Sequence, residues 1–194
     1  GTEVHLESAQ GALILDEIRR MESTIQGLLD FSRAPTRNPI EHDLRATLQR
    51  SLNLLDGRLS QAGIRLDLQI GDQPLLVFAD SEQLNQVFVN LLLNAVEAMP
   101  AGGVVTERLL QVVDRHVAQV EILDTGAGIS SEILGRLFEP FATTKQRGTG
   151  LGLAICRRIV RAHDGQIQAD NLPGGGARFV VELPLGGAAE LLDL

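Results

Sequence analysis

Four glycine clusters, at 102–103, 126–128, 148–152 and 174–176, cut this chain into short blocks. Glycine at such density marks sharp turns or close approach of backbone to a ligand, because no Cβ stands in the way. The blocks between the clusters carry two different periods. Leu44, Leu48, Leu52 and Leu55 recur with helical spacing, whereas Ile64, Leu66, Leu68 and Ile70 alternate with Arg65, Asp67 and Gln69 as a half-buried strand. Residues 75–79 read as a second strand. Asp80 or Ser81 then caps a long helix that runs to Met99 and is stopped by Pro100 and the Gly102-Gly103 pair. Residues 117–123 read as a third strand, 130–137 as a short helix, 151–162 as a helix opening directly after glycines, and 179–183 as a strand ended by Pro184. Strands and helices mix without a regular βαβ rhythm, so the expected class is α+β, a layer of helices on a mixed sheet, rather than a doubly wound fold.

Ahead of these blocks, Ile14, Ile18, Met21, Ile25 and Leu28 recur at coiled-coil-like spacing within 10–33, and Leu13 and Leu29 widen the stripe. Pro35 and Pro39 cut this helix off from the rest of the chain, so its stripe is expected to meet a partner helix; an ordinary amphipathic helix lying on its own domain is the plain alternative. The 194 residues suffice for one domain with a small appendage, and 44% hydrophobic content supports a core. Twenty-five acidic against seventeen basic residues give a net charge of −8, which argues against a nucleic-acid partner. The single cysteine, Cys156, has no internal disulfide partner, which suits a reducing compartment and a cytoplasmic location. No run approaches the roughly 18 apolar residues of a membrane span, so no membrane contact is expected of this chain. It opens on Gly1, which leaves room for a longer parent anchored in a membrane, and 186–194 read as a frayed tail.

Three segments carry side chains suited to chemistry. Asn90 and Asn94 lie four apart on the long helix, so both amides project from one face. Buried amides need partners, and amide oxygens suit a hard cation such as Mg2+ when phosphates complete its shell; helix-surface solvation is the bland alternative. Asp124-Thr125-Gly126-Ala127-Gly128-Ile129 follows an apolar strand and sets a carboxylate at its end, fit to receive an exocyclic amine, with Gly126 and Gly128 letting the backbone pass near a ligand. Alone, such an Asp and its glycines also suit a purely local turn. Gly148-Thr149-Gly150-Leu151-Gly152-Leu153 opens a helix and offers backbone N–H groups to phosphates, with Lys145 adding a charge. Leu153 stands where a dinucleotide fingerprint needs its third glycine, and no Gly-Lys-Ser/Thr of a P-loop is present.

Taken in order, these segments resemble the histidine kinase branch of the family that also contains gyrase, heat-shock chaperone and mismatch-repair ATPases. Asn90-Leu91-Leu92-Leu93-Asn94-Ala95 resembles its N box, Asp124 to Gly128 its G1 box, Phe138-Glu139-Pro140-Phe141 its F box and Gly148 to Gly152 its G2 box. Asn94-Ala95-Val96-Glu97-Ala98-Met99-Pro100 is most similar to nitrogen-regulation-type sensor kinases. The resemblance implies a two-layer α/β sandwich over 37–194, a mixed sheet with helices on one face. It is preceded over 1–36 by one helix of a dimerisation hairpin and a linker. It further implies ATP and Mg2+ as ligands, with Asn90 and Asn94 on metal and phosphates, Asp124 on the adenine amine, and Asn90, Asn94 and Lys145 in catalysis. Gly126, Gly128, Ile129, Thr144, Lys145, Gly148, Thr149, Gly150, Leu151 and Gly152 would complete the nucleotide site. Residues 129–149 would form a mobile lid anchored by Phe138 and Phe141; Thr143, Thr144 and Arg147 are otherwise solvated loop residues.

The family's ATPases carry a Glu at the first N-box position to activate water, and Asn90 takes that place here. The resemblance therefore implies phosphoryl transfer to a histidine, for relay to a response-regulator aspartate. The resemblance places the accepting histidine on a first dimerisation helix, which is expected to be missing from this chain, and implies a homodimer through Ile14, Ile18, Met21, Ile25 and Leu28. His42-Asp43-Leu44-Arg45 mimics the accepting box, but the helix it opens aligns better with the linker. Glu97 replaces a basic residue of many kinases and Ala177 a frequent Thr; with no Tyr or Trp, the base would rest on aliphatic side chains. A non-catalytic nucleotide-binding regulatory module, a serine-directed protein kinase and a simple ATPase are the alternative readings.

Overall fold

The computed structural model describes residues 38–145 and 148–186, together with Gly11, Ile14, Leu15, Ile18 and Met21. These five are helical, and Ile14, Ile18 and Met21 expose about half of their surface. Ile25, Leu28 and most of 1–36 lie outside the described residues, as does Arg147.

From residue 38 onward the chain runs β1 (Ile40–Asp43), α1 (Leu44–Gln61), β2 (Ile64–Ile70), β3 (Leu76–Ala79), α2 (Ser81–Ala98), β4 (Gly103–Val112), β5 (Val117–Asp124), α3 (Ser131–Leu134), α4 (Gly152–Ala162), β6 (Gln166–Asn171) and β7 (Ala177–Pro184). Five strands form one mixed sheet in the order β2-β4-β5-β7-β6. β2 runs parallel to β4 and the other pairs are antiparallel. β1 and β3 make a separate antiparallel pair. The expected class holds: helices cover one face of a mixed sheet.

The apolar stripes explain the layering. Leu44, Leu48, Leu52, Leu55 and Leu59 of α1, Leu84, Val87, Phe88, Leu91 and Leu92 of α2, and Ile155, Ile159 and Val160 of α4 are buried in one core. The sheet meets them with Val105, Leu109, Ala118, Val120, Ile122, Val181 and Leu183. The far face of the sheet is polar, where Glu121 of β5 is clasped by Arg108 of β4 and Arg178 of β7. No helix among the described residues is long and apolar enough to cross a membrane.

Caps set the helix starts. Asp80 accepts N–H bonds from Glu82 at 3.0 Å and Gln83 at 3.1 Å, and its own N–H donates to Nε2 of His163 at 3.0 Å, tying the start of α2 to the end of α4. Asp43 caps α1 through the Arg45 N–H at 3.1 Å and also pairs with the Arg45 side chain. The carboxylate of the His-Asp-x-Arg mimic is thus engaged with Arg45, while His42 sits on β1 with Nε2 3.1 Å from Thr47 Oγ1.

Three strands, β1, β4 and β6, were absent from the sequence pattern. The expected helix over 130–137 is shorter, Ser131–Leu134, because Gly135 takes its C-cap. Leu137 still reaches the core beyond it.

Candidate functional site

α2 presents Asn90, Asn94 and Glu97 along one flank, at helical spacings of four and three, while its opposite flank enters the core. Asn90 Nδ2 donates to Cys156 Sγ on α4 at 3.7 Å. Asn94 Oδ1 accepts from Lys145 Nζ at 3.0 Å, and the same ammonium pairs with Glu97. An amide oxygen that already receives an ammonium is oriented to receive a cation.

β5 ends at Asp124, which is only 3% exposed. Its Oδ1 accepts the Gly126 N–H at 2.8 Å and the Ala177 N–H at 3.2 Å. Burial raises this carboxyl above its ordinary range, and the two backbone bonds oppose that rise. Among the described residues no donor is bonded to the other oxygen. A half-used carboxylate at a strand end is poised to accept from an amine.

The loop after Asp124 closes against protein on both sides. A Cβ on Gly126 would stand 2.6 Å from the Ala98 carbonyl oxygen, and Gly128, at φ +75°, would place one 2.8 Å from Asn171 Oδ1. Asn171 holds the next residue with two bonds, accepting the Ile129 N–H at 2.6 Å and donating to the Ile129 carbonyl at 2.8 Å. The close approach that Gly126 permits here is therefore to the end of α2.

A cleft of about 380 Å³ lies between α2, this loop and the segment leading into α4. Such a volume falls within the roughly 300–1,000 Å³ typical of small-ligand sites. Its apolar lining comes from Leu93, Ile129, Ile133, Leu137, Leu153 and Phe179, together with the buried carboxyl of Asp124. Its polar lining comes from Asn90, Asn94, Thr143, Thr144, Lys145 and Thr149. This mixed lining suits a ligand with a flat apolar head bearing an amine and a polyanionic tail.

Of the residues expected from sequence, Asn90, Asn94, Asp124, Gly128, Ile129, Thr144, Lys145, Gly148, Thr149, Gly150 and Gly152 line this cleft. Gly126 and Leu151 do not. Leu151 is 1% exposed within the core, where its carbonyl accepts the Ile155 N–H and starts α4. The lid anchors also divide: Phe138 packs against the core, but the Phe141 side chain is 62% exposed and only its backbone is tied, donating N–H to Gly150 O at 3.0 Å. The aliphatic resting place for a base gains one aromatic, Phe179 of β7. Sequence alone does not reveal it, because only the β5–β7 register brings it beside Asp124. Ala177 contributes its backbone N–H rather than a side chain.

Comparison with known proteins agrees with this geometry. Residues 79–187 match the family model described as histidine kinase-, DNA gyrase B-, and HSP90-like ATPase. The signal transduction histidine-protein kinase AtoS of Escherichia coli (strain K12) is 37% identical over 174 residues, covering 90% of this chain and 28% of AtoS. Full-length ShkA in complex with AMPPNP superposes with a TM-score of 0.72 at 28% identity, over 84% of this chain and 35% of that one. Histidine kinase ThkA in complex with the response regulator TrrA superposes with a TM-score of 0.76 at 27% identity, over 89% of this chain and 49% of that one. The chain thus spans less than half the length of each. With the family model matched over the whole cleft and its strand and helix supports, the chain belongs to the histidine kinase-, DNA gyrase B- and HSP90-like ATPase family, as a sensor histidine kinase ATP-binding catalytic domain.

Proposed function

We propose that this domain binds ATP with Mg2+ and transfers the γ-phosphoryl group to a histidine on a dimerisation helix, for relay to a response-regulator aspartate. The observation that carries the reading is one cleft lined by a half-used buried carboxylate, by two helix amides with a lysine bonded to one of them, and by apolar side chains. Adenine lies among Ile129, Ile133 and Phe179 with its amine on the free oxygen of Asp124. Lys145, Thr144, Thr149 and the N–H groups opening α4 meet the phosphates. The carbonyl oxygens of Asn90 and Asn94 would hold Mg2+, which would supply charge neutralisation for the phosphates.

In the transfer the bond from the γ-phosphorus to the ADP oxygen breaks and a P–N bond to the imidazole forms, with the imidazole proton released to solvent. The chain's residues contribute positioning and electrostatics. Hydrolysis needs an activated water, and on this reading the two carboxylates lining the cleft have other tasks: Glu97 pairs with Lys145, and Asp124 holds the loop with one oxygen and takes the adenine amine with the other. This favours a protein acceptor over water. ShkA was crystallised with AMPPNP and ThkA with a response regulator, and both support the reading. On it, 37–194 are the catalytic domain, 1–36 belong to a dimerisation helix and linker, and the whole works on the cytoplasmic side.

The test is calorimetry of ATP binding with and without Mg2+ on the wild-type chain and on Asn94→Ala and Asp124→Asn. Micromolar binding that strengthens with Mg2+ is expected, with at least tenfold loss in both variants. Labelled ATP and a histidine-bearing dimerisation helix should then yield an acid-labile phosphoprotein. An acid-stable product, or steady phosphate release without one, overturns the assignment.

A further inference from the structure

The proposed transfer uses the Asn90 carbonyl oxygen but leaves open what turns the amide that way. An asparagine side chain is nearly symmetric in shape, so its orientation is decided by what its two ends meet. The answer lies on α4, behind the cleft.

Cys156 is fully buried between α4 and α2. Its thiol donates to the Val87 carbonyl of α2 at 3.8 Å, and its Sγ receives Asn90 Nδ2–H at 3.7 Å. With its one proton committed to Val87, the sulfur offers Asn90 only lone pairs. It satisfies the NH2 end and would repel the carbonyl end. We infer that Cys156 is a positioning residue, its Sγ holding the Asn90 amide with NH2 toward α4 and the carbonyl oxygen toward the phosphate side of the cleft.

Other features agree. Gly152, one turn before Cys156, lines the same cleft as Asn90, so the helix that opens beneath the phosphates also orients this amide. Sulfur is a weak acceptor, yet its preference, acting from a fully buried position on a half-buried amide, is enough to choose between two amide orientations.

This inference rests on the reading of Asn90 as a metal and phosphate ligand, so the experiment separates the two. In the wild-type protein, NMR of the side-chain amides should show Asn90 NH2 protons exchanging with solvent at least about tenfold more slowly than those of Asn94. Equal exchange overturns the inference without any variant. Cys156→Ser keeps donor and acceptor, whereas Cys156→Val keeps the bulk and loses both. Cys156→Ser should bind AMPPNP with Mg2+ within about twofold of wild type, and Cys156→Val should lose about three- to tenfold. Binding of ADP in EDTA should be unchanged in both variants. Equal losses with and without Mg2+, or a Cys156→Val protein that binds as wild type, overturn the positioning role. If Asn90→Ala leaves the Mg2+ dependence intact, the reading of Asn90 fails instead, and the exchange measurement still decides the orientation.

Discussion

Glu107 and Asp124 stand on neighbouring antiparallel strands, on the helix-facing side of one sheet, two register positions apart. Burial raises both carboxyls above their ordinary range, that of Glu107 to about 8. Their surroundings differ. Asp124 sits at the strand end, lines the cleft and accepts two backbone N–H bonds on one oxygen, with no donor among the described residues on the other. Glu107 sits mid-strand with no exposed surface, and among the described residues neither of its oxygens has a hydrogen-bond partner. On the opposite face, Glu121 is almost as buried as Asp124 but lies between two arginines. On the proposed reading, a buried carboxyl becomes a binding group where backbone donors hold it and a cavity leaves one oxygen without a partner. Burial alone yields a proton store that weighs on stability.

The largest expected effect breaks that comparison from the Glu107 side. In the folded protein Glu107 holds its proton to about pH 8, whereas unfolded it ionises near 4.5. The native state then binds more protons between those values, so stability is highest below the unfolded value and falls as pH rises toward 8. A urea-unfolding series from pH 5 to 9 should show a fall on the order of 4 kcal/mol from this group. Glu107→Met should remove most of that slope, leaving a smaller remainder of the same sign from Asp124, and should leave ATP affinity within about twofold. An unchanged slope, or a tenfold loss of ATP, would show that Glu107 belongs to the site after all.

The same contrast explains what was legible in the sequence. The period-3.6 stripes of α1, α2 and α4 and the alternation in β2 and β5 could be read directly, because their inward residues are apolar without interruption. β4 could not, since Glu107 occupies an inward position between Val105 and Leu109 and makes the strand read as polar. β6 buries chiefly Ile167 among Gln166, Gln168 and Asp170, and β1 is four residues after a proline. In the site, Asn90, Asn94, Asp124 and Lys145 were legible because each belongs to a local motif. Asn171, Phe179, Ala177 and Cys156 were not, because their roles arise from strand register and helix packing between segments far apart in the chain.

Asn171 offers the next test, of what holds Asp124's loop in its cleft-facing shape. It makes two bonds to the backbone of Ile129 from the end of β6. Asn171→Ala should cost about 1 kcal/mol in urea unfolding, since both bonds lie at an exposed position. The loss of ATP affinity should exceed that of stability, several-fold in Kd, because the loosened segment carries Ile129 against the base. Wild-type affinity in this variant would mean that the Gly126 and Ala177 N–H bonds to Asp124 fix the loop by themselves.

The smallest effect concerns the third carboxylate of this side, Glu97, which differs from Asp124 in being exposed. Its side chain and that of Lys145 are 57% and 45% exposed, so their ion pair should contribute less than about 0.5 kcal/mol. Glu97→Gln should therefore leave the unfolding midpoint almost unmoved. Binding should respond in the opposite sense to Asp124→Asn: removing a negative charge beside the phosphates and releasing Lys145 should tighten ATP binding about two- to threefold at low salt, and the gain should vanish near 0.5 M salt as screening shortens the reach of the charge. Weaker binding in Glu97→Gln, or a change indifferent to salt, would make Glu97 a contact residue. The rule drawn from Asp124 and Glu107, that a carboxylate binds where it is buried and held, would then need to admit an exposed one.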